Sequence, residues 1–166
     1  MTAGTVAALA RAWPASVNAP KHTLTWIEKH DPLYPGWVAL RQRILREPLG
    51  LRTSEAELEV ESNQLHLIAL EENRVIGGLI VVPLSPEYWK IRQVAIDPFF
   101  QGQGLGRQLM ERAIGEAGEK GIAEIVLHSR SNVVGFYERL GFSPVGPEFE
   151  EVGIPHRKMV LALSSA

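Results

Sequence analysis

The stretch Val94-Ala95-Ile96-Asp97-Pro98-Phe99-Phe100-Gln101-Gly102-Gln103-Gly104-Leu105-Gly106-Arg107 decides the fold. A β-prone run from Tyr88 to Ile96 is closed by Asp97-Pro98, and Leu105, Leu109 and Ala113 then recur four apart, as do Met110 and Ile114. The spacing predicts a strand, a glycine-rich turn and a helix that ends by Gly118 or Gly121. Three glycines in five residues let the backbone approach a ligand closely, and the following helix offers unpaired N–H groups and the positive end of its dipole. An anion such as a pyrophosphate is expected at the amides of Gly102 to Arg107, with the Arg107 cation beside it.

Two phosphate-binding patterns fail on their residues. A dinucleotide fingerprint G-x-G-x-x-G starting at Gly102 needs glycine where Arg107 stands. A P-loop needs G-K-[ST], which is missing, and Asp31 and Asp97 are the only aspartates available for Mg²⁺. Gly141-Phe142-Ser143-Pro144-Val145 misses a nucleophile elbow at its last position.

Moving outward, Leu24-Thr25-Trp26-Ile27 predicts a strand over residues 22–29, stopped by His30-Asp31-Pro32. Trp37, Leu40, Ile44 and Leu45 predict a helix ended by Pro48 and Gly50, and Ser54 with Glu57 resembles a capping box for a short helix over 55–61. Leu65 to Leu70 and Val75 to Val82 read as a hairpin around Glu71-Glu72-Asn73-Arg74. Past the central helix, Ile122 to Leu127 is a near-continuous apolar run expected for a strand covered on both faces. Val133 to Leu140 predicts a short helix with Gly141 at its C′ position. Phe142 to Phe149 and Arg157 to Leu163 are expected to pair across Gly153-Ile154-Pro155.

The pattern Q-x-x-G-x-G at Gln101 to Gly106 resembles the GNAT superfamily of acetyl-CoA-dependent N-acetyltransferases. The likeness runs from about Lys21 to the C-terminus. It is strongest in Val94 to Pro98 with Gln101 to Gly106, and in Gly135-Phe136-Tyr137-Glu138-Arg139-Leu140-Gly141-Phe142. Phe149-Glu150-Glu151-Val152-Gly153-Ile154-Pro155-His156 is similar to the ElaA-like branch. The resemblance implies a mixed α/β fold, a largely antiparallel sheet with flanking helices, in which Val94–Ile96 and Ile125–Leu127 form a splayed parallel pair that admits acetyl-CoA. Val94, Ala95 and Ile96 would pair with its pantetheine arm, and one of their N–H groups would face the thioester oxygen. Gln101, Gly102, Gln103, Gly104, Leu105, Gly106 and Arg107 would hold the pyrophosphate, and Tyr137 would protonate the departing thiolate.

Family members often carry Asn or Gln seven residues before this tyrosine. Here Arg130 stands there, with Asn132 two residues on; Arg130 could reach a phosphate or a pantetheine carbonyl, or be solvated. An amine must be neutral to attack, which makes Glu151 and His156 the candidate general bases. Glu148, Glu150 and Glu151 read equally as a solvated acidic run, and His128 reads as a structural histidine at the end of an interior strand. Tyr137 taken alone reads as a core aromatic beside Phe136.

Composition bounds the rest. The chain has 166 residues, 17 Lys+Arg against 19 Asp+Glu, a net charge of −2 and no cysteine. No disulfide, thiolate zinc site, iron–sulfur cluster or cysteine acyl-enzyme can form. The five histidines show no metal-ligand spacing, so no metal is expected. Arg41, Arg43, Arg46 and Arg52 spread around the first helix, which reads as a solvated surface and not a nucleic-acid site. No run reaches the roughly 20 apolar residues of a membrane span, and no cation precedes the short apolar run Val6 to Ala10, against a signal peptide. The expected organisation is an N-terminal extension over residues 1–20 and a single domain over residues 21–166, cytoplasmic. Direct transfer of acetyl to a primary amine in a ternary complex is expected, in a homodimer if this chain follows the superfamily's habit. A CoA-binding module without turnover and a nucleotide-binding protein are the alternatives.

Overall fold

A computed structural model describes residues 22–163. The expected extension over residues 1–20 lies outside the described residues. A seven-stranded sheet forms from β1 (Thr23–Ile27), β2 (Leu65–Glu71), β3 (Arg74–Pro83), β4 (Tyr88–Ile96), β5 (Glu124–Arg130), β6 (Ser143–Glu151) and β7 (Ile154–Ala162). The strand order is β1-β2-β3-β4-β5-β7-β6. Every neighbouring pair is antiparallel except β4 and β5.

Helices cover both faces because apolar side chains alternate along the central strands. On one face, α3 (Leu105–Glu119) lays Leu105, Leu109, Met110, Ala113 and Ala117 onto Leu67, Leu79, Ile91, Ile125 and Leu127. On the other, α1 (Tyr34–Arg41) buries Tyr34, Trp37 and Leu40 against Ile68, Ile80 and Ala95. Trp37 can lie flat on β3 because Gly78 has no side chain: a Cβ there would stand 2.7 Å from the Leu67 carbonyl oxygen and 2.8 Å from the indole. Residues 42–46 continue α1 as a π-helical turn and residues 47–49 as a 3₁₀ turn, ended by Gly50 at φ 69°. One half of the expected capping box forms: Ser54 Oγ accepts from the Glu57 N–H at the start of α2 (Glu55–Glu59), while the Glu57 carboxylate pairs with Arg46.

Two of the three hairpins turn on two residues at positive φ, the twist that matches paired strands. Glu72 and Asn73 (φ 48° and 67°) join β2 to β3, and Val152 and Gly153 (φ 48° and 73°) join β6 to β7. The second turn therefore sits one residue earlier than the sequence pattern predicts, and β7 takes in Ile154, Pro155 and His156. A β-branched residue is strained in the left-handed region, so Val152→Asn is expected to raise stability by about 1 kcal/mol. Chemical denaturation of the two proteins checks this; an unchanged midpoint would mean that the turn carries no strain.

Candidate active site

The site begins where β4 and β5 separate. Their parallel pairing runs from Tyr88–Glu124 to Ile91–Leu127 and stops. The splay thus lies between residues 92–96 and 128–130; Ile125–Leu127, the segment the sequence places beside the gap, is the paired part of β5. On its other side β4 stays on β3, but with a bulge: Gln93 and Val94 stand opposite Leu79 alone, between the pairs Gly78–Ala95 and Ile80–Arg92. Gln93 adopts φ 52°, a conformation uncommon for a residue with a side chain. The β4 edge at the splay has no partner strand, so its backbone N–H and C=O groups are free to bind an extended ligand.

A buried polar cluster holds the bulge. Arg41 donates to both carboxylate oxygens of Glu61 at 2.8 Å and to Gln93 Oε1 at 2.7 Å. Tyr34 donates to Glu61 Oε1 at 2.7 Å. Trp37 Nε1 donates to His66 Nδ1 at 3.1 Å, which leaves His66 Nε2 to carry the proton it shares with the Glu61 backbone oxygen at 3.2 Å. Burial pushes the His66 imidazole below its ordinary value, in agreement with a neutral ring. Arg41 and Glu61 are 3% and 1% exposed, so Arg41 is no part of a solvated basic surface. Helical periodicity could not reveal this, since the partner Glu61 lies twenty residues away. Arg43 pairs with Asp97 and Arg46 with Glu57.

A cavity of about 430 Å³ opens at the splay. It brings together Val94, Arg130, Tyr137, Glu151 and His156 among the residues singled out from the sequence, and adds His128. Tyr137 sits on α4 (Val134–Glu138), packed edge-on against Phe136 and Phe142. A Schellman closure fixes it: the Phe142 N–H bonds the Tyr137 carbonyl and the Gly141 N–H bonds the Glu138 carbonyl, with Gly141 at φ 99°. Burial pushes its phenol up to about 12, so the hydroxyl keeps its proton at neutral pH.

Glu151, His128 and His156 form a cluster at the cavity wall. Glu151 Oε1 lies 3.0 Å from His128 Nδ1 and Oε2 lies 3.6 Å from His156 Nε2. Burial acts to raise the Glu151 carboxyl, yet the hydrogen bond and charge of His128, with His156 and Lys90, hold it below its ordinary value. His156 Nδ1 stands 2.7 Å from the Ile154 carbonyl, which can only accept, so Nδ1 carries the hydrogen and Nε2 faces the cavity. Glu151, though exposed, pairs with His128, and both line the cavity. Strand alternation held the signal for His128, since it shares a face of β5 with Arg130.

The glycine turn lies beyond the cavity, at the start of α3. Gly102 and Gly104 adopt φ 76° and 80°, and Gly104 caps α3 without a side chain, leaving the Leu105, Gly106 and Arg107 amides without intrahelical acceptors. Gln101 does not point its side chain outward; its Nε2 staples the turn to the Ile96 carbonyl at 3.0 Å. Arg107 Nε donates to Glu111 Oε1 at 2.7 Å, one helical turn on. Ala95 is buried among the α1-side core and Ile96 packs on the α3 side, so only their backbones can serve a ligand. Asn132 is exposed and does not line the cavity.

The acetyltransferase (GNAT) domain family matches residues 48–163. The chain belongs to the GNAT family. Among curated relatives of this GNAT protein, GCN5-related N-acetyltransferase 1 of the Arabidopsis thaliana chloroplast is 50% identical over 52 residues, 31% of this chain and 26% of the relative. The matched segment thus spans about a quarter of that relative's length. A Bacillus subtilis acetyltransferase is 31% identical over 101 residues, 61% of this chain and 68% of the relative. Escherichia coli ElaA superposes with a TM-score of 0.72 at 17% identity, covering 84% of this chain and 99% of ElaA. A GNAT acetyltransferase of Elizabethkingia anophelis, solved with acetyl-CoA bound, superposes at 0.67 with 20% identity, covering 87% and 99%. At these identities the structures support the GNAT fold. No helix among the described residues is long and apolar enough to cross a membrane.

Both buried tyrosines make stability depend on alkaline pH. Burial, then the hydrogen bond to Glu61, pushes Tyr34 up to about 12, and burial does the same for Tyr137. A folded-state value raised above 10 stabilises fully below about pH 10 and is lost as pH rises through about 12. Each tyrosine is expected to account for up to about 3 kcal/mol of that loss. Denaturant unfolding across this range measures it, and Tyr137→Phe is expected to remove roughly half.

Proposed function

We propose that this chain is an acyltransferase that moves the acetyl group of acetyl-CoA to a primary amine, directly and within a ternary complex. One arrangement carries the reading: the open β4 edge at Arg92 to Val94 and Tyr137 line one cavity, and the N-terminus of α3, which has no side-chain cap, lies beyond it. The residues fit acetyl-CoA in kind. An extended pantetheine can take the place of the missing strand along Val94 to Ile96, and Gly102 to Arg107 present amides to a pyrophosphate. Arg130 offers a further cation at the cavity wall. In the Elizabethkingia relative the same fold holds acetyl-CoA.

The chemistry asks for a base, an oxyanion donor and an acid. His156 Nε2, with Glu151 beside it, takes the proton of the attacking amine. A new N–C bond forms at the thioester carbon while a β4 amide at Val94 donates to its oxygen. The C–S bond then breaks, and Tyr137 protonates the leaving sulfur, whose ordinary pKa of about 8.5 lies well below that of the phenol. Holding both substrates in one cleft contributes several kcal/mol through proximity.

The test follows CoA thiol release and the mass of the acceptor over a panel of amines with acetyl-CoA. Amine-dependent release with an acceptor heavier by one acetyl group is expected. Tight acetyl-CoA binding without release from any amine would favour the module without turnover.

A further inference from the structure

The wall of the cavity facing α1 is unusually cationic for an enzyme that is to receive an amine. Trp89 and Ile91 of β4 point into the α3-side core at 3% and 1% exposure, so Lys90 and Arg92 project from the opposite face, into the cavity. Arg46 and Arg130 line it too, and Glu151 is the one carboxylate among the described lining residues. Arg46 is already paired with Glu57, and Glu151 is engaged by His128. Lys90, Arg92 and Arg130 have neither an ion pair nor a side-chain hydrogen bond among the described residues. Burial lowers the Arg92 guanidinium from its ordinary value; Glu61 and Glu57 oppose this, while Arg41 and Arg46 add to it. A half-buried guanidinium without a partner is costly, and an anion supplied by a ligand would remove that cost.

Resting on the acetyltransferase reading above, we propose that the acceptor is a small amine that also carries an oxyanion, and that Arg92, with Lys90, binds it. A carboxylate or a phosphate near the reacting nitrogen meets this description, an amino acid being the simplest case. The same cations favour the reactive form of the substrate: a positive field disfavours the ammonium and promotes the neutral amine that attacks the thioester. A purely cationic acceptor such as a polyamine would meet repulsion at every point of this wall. A cavity of about 430 Å³, shared with the thioester arm, suits a small acceptor.

The test compares kcat/KM of the twenty amino acids with their carboxamides, and of phosphoethanolamine with ethanolamine, using acetyl-CoA throughout. At least one carboxylate or phosphate acceptor is expected to exceed its uncharged counterpart by about tenfold or more. Arg92→Gln is expected to abolish that preference, mainly by raising KM for the anionic member of a pair about tenfold or more beyond any effect on its uncharged counterpart; Arg92→Lys should restore part of it. A preference confined to phosphoethanolamine assigns the anion as phosphate, and one confined to amino acids assigns it as carboxylate. Equal or better turnover of the uncharged amines, or an equal effect of Arg92→Gln on both members of a pair, overturns the anion site and leaves the acetyltransferase reading standing. Turnover of no panel member by a protein that binds acetyl-CoA overturns the anion site as well. Failure to bind acetyl-CoA at all brings down the acetyltransferase reading itself.

Discussion

Tyr137→Phe is expected to lower kcat by roughly 100-fold and to leave the KM for acetyl-CoA within about threefold. General acids contribute about 10²–10⁴ to a rate, and a thiolate is a good enough leaving group to place the effect at the lower end. The substitution removes one oxygen from a residue that α4 and its Schellman closure hold in the α3-side core, where Phe136 and Phe142 pack against its ring. The ring stays, so folding stability at neutral pH should hold. A loss in kcat without a loss in binding is the mark of an interaction made only as the C–S bond breaks. Steady-state kinetics at saturating amine measures it; an unchanged kcat would remove Tyr137 from the acid role and leave it a core aromatic.

Glu61→Ala should produce the largest loss of stability of any single substitution considered. The carboxylate compensates Arg41 in a site 3% exposed, and breaking such a pair by deleting one partner costs about 3–5 kcal/mol. For a chain of this size that corresponds to a fall in Tm of roughly 10 °C. Replacing both members by apolar residues of similar volume, as in Arg41→Met with Glu61→Leu, should recover part of the loss. Burial acts to raise the Glu61 carboxyl, but the hydrogen bonds from Arg41 and Tyr34 outweigh it and hold the group below its ordinary value. Its contribution is therefore complete above about pH 4.5 and disappears as pH falls through the lowered folded-state value. The Ala variant should show a shallower acid limb. Because Arg41 also holds Gln93 in the β4 bulge, the variant should lose kcat beyond what its folded fraction explains. A normal rate from the folded fraction would show that the bulge keeps its shape without the latch.

Sequence periodicity reveals most of the scaffold and several residues of the cavity wall. The β2–β3 hairpin, β4, the glycine turn and α3 are local patterns: alternation, turn residues and a four-residue apolar spacing each lie within one segment. Motifs single out Tyr137, Glu151 and His156 in the sequence, and the fold brings all three to one cavity. The residues that escaped are those whose role depends on distant partners. Arg41 sits among other arginines in the chain, and only tertiary packing carries it under Glu61 and against Gln93. The contact of His128 with Glu151 is not legible because the strand pattern gives the face of His128 but not the hairpin that brings Glu151 across to it. The splay point was placed too early on β5 because backbone pairing ends where β4 bulges, and Gln93 at φ 52° carries no local signature of that. The pairing of Arg107 with Glu111 follows from their i, i+4 spacing.

Thermal unfolding with acetyl-CoA, CoA, ATP and NAD at matched concentrations tests the central claim most directly. A ligand at about 100 times its Kd adds about 2.7 kcal/mol of stability, a rise in Tm of roughly 5–10 °C for a protein of this size. A rise of that order with both acetyl-CoA and CoA, and none with ATP or NAD, is the expected result. A rise with ATP or NAD alone would contradict the assignment of the β4 edge and the α3 N-terminus to acetyl-CoA, and the proposed acetyl transfer with it.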